Sequence, residues 1–366
     1  MRSAARFRLD AFLAAPVCVQ RRETGMDEYE NSVLPPDETG GLSAKQSFSR
    51  VGWTFFTMLG SANLVQLLLL KLGARYAPQL FSSDWATWLL SLLPLYLIAL
   101  PLGWLILRRL PASAPAENPL SAGHLMMFFV MCIAVMYLGN LIGVALNMGI
   151  AEARGSSYDN PIEDLLSGTN VWASLVSVVL IAPVMEEFIF RKLLCDRIRA
   201  YGEGTAVLVS GLVFGLFHGN LYQFFYAFGI GAVFAYIYLR TGRVRYTMLL
   251  HAGINFLGGV LPEIVFSHVN LEEVSKLASA APEKLLSYLH AHLAGMLALG
   301  VYGITMLALF ILGIVFLLMR RKEALLLPAE KQLPKRGRGG AIFGNAGMIV
   351  YMLLSAALMT IMVIMA

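Results

Sequence analysis

The chain has 366 residues, 58% of them hydrophobic and only 14% charged, with a mean hydropathy of +0.68. Soluble domains carry about 25% charged residues, so this deficit excludes an ordinary soluble globule and points to lipid. The formal charge of +5 does not argue for nucleic acid, because the lysines and arginines cluster between apolar runs, where they read as topology anchors.

Residues 1–25 hold Arg2, Arg6 and Arg8, a short apolar stretch from Ala11 to Val19, and then Arg21-Arg22. The pattern is superficially that of a signal peptide but lacks a convincing small-residue cleavage site. A disordered extension with Met26 as initiator is the preferred reading. Residues 26–50 are polar, with Pro35-Pro36 and Gly40-Gly41, and continue it as a flexible lead-in.

Nine apolar runs follow as candidate spans: 51–70, 85–107, 123–147, 171–191, 205–219, 222–240, 246–261, 294–319 and 345–366. Backbone groups in hydrocarbon must be satisfied internally, which leaves helices or a closed barrel, and unbroken apolar runs exclude the barrel. The fold class is therefore all-α, a polytopic helical membrane protein. Arg108-Arg109, Arg191-Lys192, Arg197, Arg199, Arg240, Arg243, Arg245 and Arg320-Arg321-Lys322 mark cytoplasmic turns. Lys45 and Arg50 place the N-terminus in the cytoplasm too, and the membrane is expected to be the plasma membrane. The stretches 148–170 and 262–293 are acidic and read as outer loops, while Lys71 and Arg75 dissent. Of the three cysteines, Cys132 and Cys195 read as small packing residues, and Cys18 lies in the extension.

Polar groups in three of these runs stand out. Glu186-Glu187 ends the run Val178 to Met185, with Arg191 four residues on. An acidic residue at the centre of a bilayer costs roughly 2.5–3.5 kcal/mol. Glu187 and Arg191 share a helix face and can pair. Glu186 is rotated by about 100° and lacks that partner, which suits a general base. Pro183 frees a backbone carbonyl and can kink the helix. His218 follows Phe214 on a helix with Gly211, Gly215 and Gly219, a stripe that permits close helix approach. His251 and Asn255 share a face, and an imidazole beside an amide can hold an oxyanion. Counted along their spans, Glu186 and His251 each lie about 8 Å below the cytoplasmic face, whereas His218 lies about 20 Å along its own.

Taken singly, each residue has a plainer reading: Glu187–Arg191 a structural ion pair, His218 an interhelical donor, Asn255 helix glue. His124, His268, His290 and His292 read as solvated. The order Glu-Glu-x-x-x-Arg, Phe-x-x-x-His, His-x-x-x-Asn on separate spans resembles the CPBP (Abi) family, which takes its name from CAAX prenyl endopeptidases and bacteriocin-processing proteins. The resemblance covers about residues 170–260. It implies an eight-helix core, placed here over 51–319; the flexible extension at 1–50, the basic linker at 320–344 and the additional C-terminal span at 345–366 are read from composition and lie outside it. It also implies an intramembrane endopeptidase opening to the cytoplasm: Glu186 would activate water with His218, His251 and Asn255 would stabilise the oxyanion, and Glu187 and Arg191 would support the site.

Family members are commonly labelled metalloproteases. Glu186, His218 and His251 offer an acceptable zinc donor set, yet no His-Glu-x-x-His pair is present, and a metal-free water attack is slightly preferred. The expected partners are the bilayer and a peptide or protein substrate, not nucleic acid. The competing functions are a transporter or proton relay, disfavoured because the polar groups have no counterpart in the other half of the chain, and a non-catalytic immunity-type scaffold.

Overall fold

Several of the helix starts are set by capping side chains. The computed structural model describes residues 42–81, 83–156, 160, 170–324, 326–328 and 331–365. The expectations placed on residues 1–41, and on 157–159 and 161–169 of the acidic stretch 148–170, lie outside these. Helix α1 (Ala44–Tyr76) opens on a reciprocal cap: Ser43 Oγ accepts from Gln46 N, and Gln46 Oε1 from Ser43 N. The lead-in expected over 1–50 therefore ends before Ala44. After a short turn of helix at Pro78–Phe81 come α2 (Trp85–Leu107), α3 (Ala122–Arg154) and α4 (Val171–Tyr201). Ser121 caps α3, and Asn170 caps α4 through Trp172 N at 2.9 Å. Next are α5 (Glu203–Phe217), α6 (Leu221–Thr241) and α7 (Val244–Phe266). The acidic stretch expected as a loop over 262–293 instead contains the pair α8 (Leu271–Ala280) and α9 (Pro282–Ala291), started by the Asn270 cap and by proline in the first turn. Helices α10 (Leu293–Arg320) and α11 (Ala346–Met365) complete the bundle.

Eight of these helices are long and apolar enough to cross a bilayer among the described residues; α5, at 15 residues, is not. It reaches about 22 Å against a hydrocarbon core of about 30 Å. The protein is an integral membrane protein, and side chains such as Leu67, Ile304, Leu307 and Leu353 lie exposed as its lipid-facing surface. No strand occurs among the described residues.

Helix α5 packs along α6 as a hairpin. A Cβ at Gly211 would come within 2.9 Å of Phe228 O, and one at Gly215 within 2.9 Å of Phe224 O, so both glycines serve close approach. Gly219, the third of the stripe, has a different task. Its φ of +64° lets the chain reverse between the two helices. Helix α11, expected as an addition to the core, is packed into it: Gly347 meets the backbone of α1 at Ser49, and Tyr351 Oη donates to Val213 O of α5 at 2.8 Å. The basic linker runs against the α4–α5 junction, where Leu327 exchanges hydrogen bonds with Glu203 and Lys331 N donates to Ala200 O. One apolar core gathers Phe48, Phe55, Phe190, Phe214 and Tyr351. A second gathers Met127, Cys132, Phe234 and Ile254 from α3, α6 and α7. Cys132 and Cys195 are buried free thiols, one in each core.

Candidate active site

Both carboxylates sit at the middle of α4, whose winding is not uniform. The six-residue α segment Ala182–Glu187 lies between two wider π segments, Leu175–Ile181 and Phe188–Cys195. In the first of these an N–H bonds to the carbonyl five residues back, as Ala182 does to Ser177. Pro183 comes next and has no N–H to offer Val178. Asn255 of α7 takes its place, donating from Nδ2 to Val178 O at 2.9 Å. Asn255→Leu should therefore cost about 1–3 kcal/mol, the penalty of a buried carbonyl left without a donor. Adding Pro183→Ala should restore part of that loss by returning the N–H. Thermal unfolding of the wild type, the single and the double variant in detergent checks this.

Glu187 and Arg191 are fully buried and paired, with Nε to Oε2 at 2.8 Å and Nη2 to Oε1 at 3.4 Å. Arg191 Nη1 donates to Ser210 Oγ on α5, which in turn donates to Phe190 O. The guanidinium stands 5.3 Å from the ring centre of Phe214 and 5.8 Å from that of Phe234. It thus joins the two apolar cores, its charge met by a carboxylate, a hydroxyl and two π faces.

His251 lies between the two glutamates. Its Nδ1 is 3.1 Å from Glu187 Oε1, and its Nε2 is 3.8 Å from Glu186 Oε2. A carboxylate paired with an arginine only accepts, so Nδ1 of His251 carries a proton and donates to Glu187. The distance to Glu186 exceeds a direct hydrogen bond and suits a bridging group. His218 likewise carries a proton on Nδ1, because that atom lies 2.9 Å from Phe214 O, which can only accept. The Phe214 ring packs edge-on against both imidazoles, with centroids at 4.9 Å for His218 and 5.8 Å for His251. Glu186 and His218 are partly open, Glu186 with 20% of its side chain accessible, whereas Glu187 and His251 are buried.

The fold thus brings Glu186, Glu187, Arg191, His218, His251 and Asn255 into one cluster. The mismatch in depth between His218 and Glu186 disappears, because α4 does not stop at Arg191. It continues to Tyr201, so Glu186 and His218 each lie about 22 Å from the joined ends of α4 and α5. Those ends project past the start of α7, roughly 10 Å from His251. The remaining histidines lie elsewhere: His124 at the α3 cap, His268 on Ile264 O, His292 stacked on Tyr288, His290 exposed. One residue that nothing in the sequence singled out joins the cluster: Ser210 of α5, which accepts from Arg191 Nη1 and donates to Phe190 O. A lone serine on an apolar helix carried no signal of its own.

Among the described residues no three of His, Cys, Asp and Glu come together as metal ligands. Glu187 is committed to Arg191 and His251, and the donors of Glu186, His218 and His251 do not converge on one point. This arrangement does not fit a zinc ion, and no step below is routed through one.

Residues 168–257 match a family model described as Type II CAAX prenyl endopeptidase Rce1-like. All six clustered residues fall inside that segment. Over 106 residues, 28% of this chain, the sequence is 30% identical to a Bacillus subtilis (strain 168) protein named "Putative membrane peptidase YdiL". The matched part spans 41% of that relative's length. No solved structure matches the chain.

Proposed function

We propose that this membrane protein, whose 168–257 segment is similar to the Rce1-like endopeptidases, hydrolyses a peptide bond at the membrane. The observation that carries the reading is the bracket of His251 by Glu187 at Nδ1 and Glu186 at Nε2. Glu186 takes a proton from water as the water oxygen attacks the peptide carbonyl carbon, and the carbonyl π electrons move to its oxygen. The oxyanion then collapses back to a carbonyl as the C–N bond breaks, the departing nitrogen takes the proton back from Glu186, and a carboxylic acid and an amine result, the acid passing its remaining proton to the amine to leave carboxylate and ammonium. His218, with Nε2 as acceptor, helps to orient the water. Glu187 and Arg191 do not react; they fix the tautomer and ring plane of His251.

In this reading the substrate enters from the side on which Arg108, Arg109, Arg199, Arg240 and Arg243 cluster, which the positive-inside rule reads as cytoplasmic, and the membrane is taken to be the plasma membrane. The substrate is a peptide held at that surface. Whether a prenyl group holds it there is an arm of the test. Full-length protein in lipid nanodiscs is given internally quenched peptides that end in a cysteine, with and without a farnesyl thioether. Cleavage by the wild type and none by Glu186→Gln supports the reading; equal cleavage by both sinks it. Loss of activity in chelator, restored by zinc, would require Glu186, His218 and His251 to draw together as ligands.

A further inference from the structure

Helix α5 is seated firmly, because Gly211 and Gly215 bring it against α6. The residue before Gly211 is Ser210, wholly buried and bonded to α4. Its hydroxyl sits between Arg191 Nη1, which can only donate, and Phe190 O at 3.0 Å, which can only accept. The single hydroxyl proton therefore goes to Phe190 O, and the lone pairs face the guanidinium. Ser210 is a fixed post on a packed helix.

The ion pair shows the consequence. An arginine that meets a carboxylate with two N–H groups commonly makes two parallel bonds of about 2.7–2.9 Å. Here the two are unequal: Nε to Oε2 is 2.8 Å, but Nη2 to Oε1 is 3.4 Å. The guanidinium is a rigid plane, so Nη1 held at Ser210 tilts Nη2 away from the carboxylate. The oxygen thus relieved is Oε1, the same atom that meets His251 Nδ1 at 3.1 Å. With Nη2 pressed against it, Oε1 would divide its charge between two donors and hold the imidazole less tightly.

We propose that Ser210 is a positioning residue for the site: by keeping Arg191 from a symmetric fork, it reserves Glu187 Oε1 for His251. The serine acts through Arg191 and Glu187 and touches no reacting atom. Its effect on catalysis rests on the peptidase reading above, whereas its effect on the His251 contact does not.

The test compares wild type, Ser210→Ala and Glu186→Gln. Each receives the best-cleaved quenched peptide in nanodiscs, at a temperature where its melting curve shows it folded. In parallel, the Nδ1 proton of His251 is followed by NMR in protein with isotope-labelled histidine, its resonance identified by its loss in His251→Gln. Ser210→Ala should lower kcat by about 10–10²-fold, the scale of a misplacement of up to about 1 Å, with KM changed less than about threefold. The Nδ1 proton should move upfield, because a weaker hydrogen bond deshields it less. Wild-type kcat in Ser210→Ala beside an inactive Glu186→Gln overturns the role of Ser210 and leaves the peptidase reading standing. A lowered kcat with an unmoved ring proton overturns it too, as does a Ser210→Ala that no longer folds, which marks a structural tie. Equal activity in wild type and Glu186→Gln, or a wild type that cleaves nothing, overturns the peptidase reading and the catalytic effect of Ser210 with it. The ring proton then still decides whether Ser210 sets the His251 contact.

Discussion

Glu186→Gln is expected to lower kcat by about 10²–10⁴-fold, the range associated with a positioned general base, while leaving the fold intact. Two observations separate the effects. Glu186 is partly open, and it takes no part in the buried ion pair, which belongs to Glu187 and Arg191. Glutamine keeps the shape and loses only the ability to take a proton. Unfolding in detergent should therefore differ from the wild type by no more than about 0.5 kcal/mol, as at sites away from packed or paired groups. A variant inactive because it misfolds would show the opposite pattern.

Arg191→Met should destabilise the protein by about 3–5 kcal/mol, the cost of leaving a buried charge without its partner. Glu187 is wholly enclosed, and with the arginine gone its remaining described contact is His251. Glu187→Met alone should also destabilise, since Arg191 would keep only Ser210 and the faces of Phe214 and Phe234. Removing both charges is a different matter, because a well-packed apolar pair can match a buried ion pair. The double variant Glu187→Met with Arg191→Met should recover most of the lost stability. It should not recover activity, because Nδ1 of His251 then has no carboxylate to hold the ring and its tautomer. Melting curves and peptide cleavage on the four proteins check both halves; activity in the stable double variant would remove Glu187 from the site.

Much of this cluster was legible in the sequence because its signals are local or chemically conspicuous. The Glu187–Arg191 pair is four residues apart on one helix, and carboxylates and imidazoles stand out against apolar runs. Gly211 and Gly215 declared the α5–α6 contact by their spacing. The partnership of Glu187 with His251 was hidden, because it joins positions 64 residues apart and three-dimensional packing alone decides which of two adjacent glutamates meets which ring nitrogen. Arg191 and Arg197 read as the end of a span, yet both are buried and the helix runs on to Tyr201, which displaced the depth reckoned for Glu186. The π segments arise from tertiary packing and leave no periodicity to detect. The role of Pro183 was half visible: an orphaned carbonyl was expected, but not that Asn255 would answer it.

The reversal at Gly219 ties the candidate site to the last helix. Helix α5 stops short, and the chain turns back where Gly219 lies against Leu358 of α11. His218 O accepts from Asn220 Nδ2 there, and Asn220 is itself buried. Irregular backbone in a membrane survives only when protein encloses it. Helix α11 is thus part of what shields the turn beside His218, and loosening it would leave those carbonyls facing lipid.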